Sequence, residues 1–349
     1  MKIVSAASAF PKNYYTQEAL LDALQKYWGD RLENPQLLSR LHSRARVDGR
    51  HLALPMIEYY GLSTWGNANR AWFNAAEELG SAALCRSLAR AGLEAARLGS
   101  MIFMSITGVS SPSVDARLIN RMGLPPHIRR VPVFGLGCVG GAAGIARAAD
   151  YVRAYPNQIA ALVSVETCSL TLQRDDTSAA NLISSGLFGD GAASVLVAGA
   201  DVEIPGIDIV DSRSTFYPGT EDVMGWDISE KGFRIILSPR VPDVIRENLG
   251  RDVDAFLGDH GLRRRDIANW IMHTGGPKIL EATQEALGVD EAALAPSWEC
   301  LRRVGNLSSA SVLVVLEDYV TRHRSQPGSW SLLGATGPGF CSELVLLRS

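Results

Sequence analysis

Apolar positions along the chain fall into two rhythms. Residues 16–27 (TQEALLDALQKY) and 72–91 (WFNAAEELGSAALCRSLARA) repeat at the three-to-four spacing of an amphipathic helix. Residues 112–123 (PSVDARLINRMG) begin with Pro and end with Gly, the punctuation of a helix. Short, wholly apolar runs predict buried strands over 100–107, 130–135, 159–167 and 193–200. Between the second and third of these lies CVGGAAGIARAADYVRAY, 138–155, a helix crowded with small residues at its start. The second half repeats the theme. Helices are predicted over 241–257, 278–287 and 305–320 (GNLSSASVLVVLEDYV, again small residues first), and strands over 269–274, 329–336 and 342–348. Residues 40–69 are irregular and basic and predict loop and cover, while 211–232 predict a loop or hairpin over a site. Two halves, each with a small-residue helix among apolar strands, predict a duplicated, layered α/β fold, with residues 1–203 as one half and 204–349 as the other.

Composition narrows the function classes. With 46% hydrophobic and 20% charged residues, the 349-residue chain is of soluble globular type. A net charge of −3 gives no reason to expect a nucleic-acid partner. The basic cluster Arg40, Arg44, Arg46 and Arg50 is local and suits a small anionic ligand at most. No apolar run is long enough to span a bilayer, and MKIVSAASAFPKNYY is too short and interrupted for a signal peptide. The five cysteines are scattered without a C-x-x-C pair, so neither a zinc site nor a disulfide framework is expected, and reduced thiols suit a cytoplasmic setting.

Three polar residues stand at predicted element ends. Cys138, in GLGCVGGAAG, sits between a strand and a helix. It suits either a small buried hydrophobe or a nucleophile whose thiolate the helix N-terminus favours. His273 follows the strand NWIM and precedes Thr-Gly-Gly-Pro; it is either a satisfied strand-end imidazole or the thiol's partner. His42, His51, His127, His260 and His323 have polar or surface contexts and are poorer candidates. Asn306, in VGNLSSAS, is either an N-cap or an amide donor to an oxyanion. GATGPGF (334–340) reads as a turn or as a backbone wall beside a ligand, and FGDGAAS (188–194) as an Asp-Gly hairpin.

GLGCVGG, LFGDGAAS, HTGGPKIL, GNLSSAS and GATGPGF, in this order and spacing, resemble the chalcone synthase-like type III polyketide synthases. The resemblance implies a thiolase-like fold of duplicated five-layered αβαβα architecture, a homodimer, coenzyme A thioester substrates and no cofactor. It places the catalytic cysteine, histidine and asparagine on Cys138, His273 and Asn306. The phenylalanine beside the decarboxylating malonyl group falls on Phe188, and the Gly-Pro-Gly loop on Gly337, Pro338 and Gly339. Ser308 and Thr171 would line the cavity, and Arg40 and Arg44 the mouth of the coenzyme A tunnel. Four positions depart from the plant pattern: Trp226 for a cavity Gly, Ile235 for a Phe, Cys168 for a Thr, and Ser111 for an interface Met. The MGWD…GFRIILS stretch is similar to bacterial alkylresorcinol and alkylpyrone synthases, which implies a fatty acyl starter, malonyl-CoA extension and closure to a pyrone or resorcinol. The alternatives are a single-condensation enzyme of the ketoacyl synthase III kind, a non-catalytic binding protein on this fold, and a cysteine hydrolase, whose local signature is missing.

Overall fold

A computed structural model describes residues 1–32, 34–322 and 326–349; His323 lies outside the described residues. Its strands are β1 (Lys2–Ala9), β2 (Asn13–Thr16), β3 (Gly49–Leu52), β4 (Leu98–Met104), β5 (Arg129–Val133), β6 (Ile159–Thr167), β7 (Asp190–Ala198), β8 (Ile207–Phe216), β9 (Met224–Ser229), β10 (Gly232–Leu237), β11 (Ile267–Met272), β12 (Trp330–Gly337) and β13 (Cys341–Arg348). Its helices are α1 (Gln17–Trp28), α2 (Pro35–Ser43), α3 (Trp65–Ala91), α4 (Val114–Met122), α5 (Gly140–Ala154), α6 (Ala179–Leu187), α7 (Val241–Asp259), α8 (Pro277–Leu287), α9 (Ala295–Val304) and α10 (Ser311–Arg322).

Nine strands join in the order β11-β12-β13-β8-β1-β7-β6-β4-β5. Strands β1 and β8 meet only at Lys2–Asp208 and Ile3–Ile207, a short seam between two sheets of opposite half. Alternation along the strands sorts their side chains into layers. Ile102, Leu162 and Val195 of the first sheet and Ile271, Leu333 and Val345 of the second face α5 and α10, which lie between them. The opposite faces carry Met101, Val163 and Leu196 against α3 and α4, and Trp270, Leu332 and Leu346 against α7 and α8. The result is the αβαβα stack of a thiolase-like fold.

The small residues that open the two central helices let their ends touch. A Cβ added at Gly141 would lie 2.3 Å from the Ser309 carbonyl oxygen, and one at Gly140 would lie 3.1 Å from Ser309 Cβ. Only bare backbone fits this crossing.

Two expectations need correction, and a third, the hairpin over 211–232, is met with β8 extending into the start of that stretch. Residues 40–69 are not simply loop: α2 ends there, β3 pairs with β2, and α3 begins at Trp65 behind a Thr64 N-cap. FGDGAAS forms no hairpin, because Asp190 enters β7 and pairs with Thr167 of β6. Residues 211–232 hold the end of β8 before the β9–β10 hairpin.

Candidate active site

Cys138 sits in the helical turn Gly137–Val139, between β5 and α5, and is 6% exposed. Gly137 adopts φ 54°, and its missing side chain leaves room for the Pro338 ring, which a Cβ would meet at 2.9 Å. A Cβ at Gly337 would meet the Val139 amide nitrogen at 2.6 Å. GATGPGF is therefore the wall behind the cysteine. Gly339 takes a positive φ in it, and the turn joins β12 to β13. Cys138 Sγ points at Ser308 Oγ, 4.0 Å away. Burial pushes the thiol up to about 12, reinforced by the nearby Glu166 charge and opposed by hydrogen bonds from Ser308 and Asn306.

The Asn306 carboxamide has a fixed orientation. Its Oδ1 accepts from the Ser308 amide (2.8 Å) and from Ser311 Oγ (3.3 Å), which fill that oxygen's acceptor sites. Its Nδ2 donates to the Gly275 carbonyl (3.3 Å), leaving the second hydrogen for the Cys138 side. The backbone is held as well: Asn306 N donates to Leu187 O, and Gly189 N donates to Asn306 O, both 2.9 Å. These bonds bridge Asn306 to Phe188. Asn306 is thus no helix N-cap, since α10 begins five residues later. Ser308 holds φ 48°, unusual for a non-glycine residue, and strain of this kind gathers at functional sites.

His273 follows β11 directly, its amide bonded to the Gly334 carbonyl at 2.9 Å. The side chain is buried, and neither ring nitrogen has a partner among the described residues. Burial lowers its pKa to about 3. The histidine connects to the asparagine through Gly275, two residues on. An imidazole buried without partners is costly unless a ligand completes it.

A cavity of about 750 Å³ reaches this region, lined there by Thr107, Cys168, Thr171, Phe188, Trp226 and Ile235. Cys138, His273 and Asn306 do not line it. Trp226 and Ile235 are cross-strand neighbours on the β9–β10 hairpin. Thr171 Oγ1 donates to the Cys168 carbonyl, closing the turn that carries both. Ser111 is exposed and lies off this cavity, as do Arg40 and Arg44, which are exposed at the end of α2 without an ion pair among the described residues.

Residues 3–202 match the family model for the N-terminal domain of chalcone and stilbene synthases, and residues 208–349 match the model for the C-terminal domain. The chain belongs to the chalcone and stilbene synthase family, the type III polyketide synthases. It is 48% identical to a 1,3,6,8-tetrahydroxynaphthalene synthase of Streptomyces peucetius subsp. caesius, over 99% of this chain and 92% of the relative. It is 30% identical to the alpha-pyrone synthesis polyketide synthase-like Pks18 of Mycobacterium tuberculosis, over 99% and 90%. The crystal structure of the Streptomyces coelicolor tetrahydroxynaphthalene synthase superposes with a TM-score of 0.95 at 31% identity, covering 100% of this chain and 99% of that one.

As a type III polyketide synthase the protein is an acyltransferase that condenses acyl-CoA with malonyl-CoA. Sequence reasoning missed one group at its centre. Glu166, wholly buried near the end of β6, accepts from Thr107 Oγ1 (2.9 Å), the Ile106 amide (3.1 Å) and Ser309 Oγ. Burial raises its pKa to about 7, against those hydrogen bonds. The signal was a carboxylate inside a mostly apolar strand, IAALVSVET.

Proposed function

We propose that Cys138, His273 and Asn306 carry out iterative decarboxylative condensation of malonyl-CoA onto a fatty acyl-CoA starter, with closure to a pyrone or resorcinol. The observation that carries this is the fixed Asn306 carboxamide. Its oxygen is saturated and its nitrogen is turned toward the thiol, beside an imidazole that has no partner among the described residues.

Burial disfavours the charged form of each group taken alone, raising the thiol and lowering the imidazole, so a thiolate forms only with His273 beside it to take the proton. Cys138 then passes its proton to His273 as its sulfur attacks the acyl-CoA carbonyl. The departing coenzyme A thiolate takes that proton, leaving an acyl-cysteine. Malonyl-CoA enters next. Its carbon–carboxylate bond breaks, carbon dioxide leaves beside the apolar Phe188 ring, and the electron pair becomes an enolate. The enolate oxygen accepts hydrogen bonds from Asn306 Nδ2 and His273. The enolate carbon attacks the acyl-cysteine carbonyl and expels the Cys138 thiolate, which takes up one proton from solvent by way of His273. The chain is two carbons longer and can be reloaded, so no added oxidant or reductant is required. Arg40 and Arg44, exposed and without an ion pair among the described residues, suit coenzyme A phosphates.

Mass spectrometry after incubation with acyl-CoA tests the assignment. The wild type gains the acyl mass on Cys138, whereas Cys138→Ser gains none and makes no product. Full turnover by Cys138→Ser would remove the cysteine from its role.

A second reading, malonyl-CoA as its own starter, is favoured by the 48% identity to a tetrahydroxynaphthalene synthase, whose named product carries no alkyl chain. Counting malonyl units in products made with and without fatty acyl-CoA separates the two. The exposed edge strand β5, with Val131 and Phe134 uncovered, supports a homodimer.

A further inference from the structure

The cavity does not end at Trp226 and Ile235. Its wall continues along residues 168–174, from Cys168, Leu170 and Thr171, which are buried, through Leu172 and Arg174, which are half-buried, to the exposed Asp175. This wall runs from beside the reaction centre to the surface. The opposite wall comes from the N-terminal cover: Leu20, Ala23 and Leu24 on α1, with Met56 and Leu62 from the segment before α3. Near the inner end, Tyr59 Oη hydrogen-bonds Ser169 Oγ (2.5 Å) and ties that segment to the wall. Near the outer end, Trp28 Nε1 donates to the Arg174 carbonyl at 3.0 Å and ties α1 to it. Two tyrosines stand at that outer end. The rings of Tyr27 and Tyr60 lie 5.5 Å apart, the Arg174 guanidinium sits 5.7 Å from the Tyr27 ring, and Arg174 Nη1 donates to the Tyr60 carbonyl at 3.4 Å. Tyr60 is 53% exposed, so solvent begins just past it.

We propose that this arm takes the alkyl tail of the starter and that the Tyr27–Tyr60 pair is its end stop, setting the longest chain that fits. The proposal rests on the condensing reading above and adds the residues that gauge the tail. A saturated chain has no use for hydrogen bonds and gains only from apolar wall, which the leucines and Ala23 supply. Its acyl carbon must stay at the reaction centre, so added length is pushed down the arm toward the tyrosines.

The experiment compares wild type, Ala23→Phe and Tyr60→Ala with hexanoyl- and palmitoyl-CoA plus malonyl-CoA, reading the palmitoyl-to-hexanoyl ratio of kcat/KM. Each methylene denied an apolar wall weakens binding about fourfold, so the ring at position 23 lowers the ratio by about tenfold or more. Removing the end stop with Tyr60→Ala raises the ratio by about threefold or more. Ratios equal to wild type in both variants, with unchanged melting temperatures, overturn the arm. A wild type that refuses both hexanoyl- and palmitoyl-CoA yet builds product from malonyl-CoA alone also overturns it and leaves the condensing centre standing. A wild type that releases no carbon dioxide from malonyl-CoA sinks the condensing reading itself, and the arm with it.

Discussion

Single side chains set the electrostatics of the centre, and Glu166 is the one that separates its effects most cleanly. Its charge adds to the burial that holds the Cys138 thiol high. Glu166→Gln removes the charge, so the pH midpoint for alkylation of Cys138 by iodoacetamide moves down. Stability moves with pH as well. The folded pKa, about 7, lies above the unfolded value, so the fold prefers the protonated acid. That contribution is whole below the unfolded pKa and is lost as pH rises through about 7. Thermal melts at pH 5 and pH 8 therefore show wild type losing more stability than Glu166→Gln over that interval. Asn306→Ala tests the oxyanion role: decarboxylation of malonyl-CoA falls by about a hundredfold to a thousandfold. A fall of less than tenfold would assign the amide to structure alone. At this scale Cys138, His273 and Asn306 are each ambiguous in sequence, because every one also suits a structural residue. The motif resemblance joins them, and the hydrogen bonds of the Asn306 carboxamide give that joining a physical form.

Elements explain what periodicity could and could not reveal. The start of α5 was legible as a small-residue run because the residues that enable the contact are themselves the signal, whereas α10 begins at Ser311 rather than at the predicted 305, after a turn in which Ser308 takes φ 48°. Gly141→Ala would drive a Cβ against the Ser309 carbonyl oxygen and should cost about 1–3 kcal/mol in a urea unfolding curve. Strand β1 (KIVSAASA) was not legible: five of its eight residues are Ser or Ala, and their burial comes from α3 and α10 packed on its two faces rather than from any apolar run. The cover between 40 and 69 was misread for a related reason. Its short elements are anchored by distant groups, such as Asp190, which holds the Ala53 amide. The β9–β10 hairpin gives an element-scale test of specificity. Trp226→Gly opens the wall it shares with Ile235, and product surveys by mass spectrometry should show bulkier aromatic starters accepted. An unchanged starter profile would show that Trp226 does not shape the cavity.

For the whole molecule, the layers emerge from strand alternation once the sheets are known, yet the sequence alone could not order them. Buried runs such as IAALVSVET show both faces covered without saying by which helices. The family motifs supplied that order. The outer edge of the stack carries its own prediction. Phe134→Glu, beside the uncovered strand β5, should shift the protein toward the monomer in size-exclusion chromatography if that edge is the contact between subunits.

The seam between β1 and β8 has a mechanical consequence. Two ladder pairs near the chain's start stitch the two sheets together, and the crossed ends of α5 and α10 pin them from inside. Opening the stack like a clamshell would have to break that seam and part those helix ends. Passage of a long, floppy thioester then falls to the thin outlying walls of the cavity, the isolated β9–β10 ribbon and the N-terminal cover.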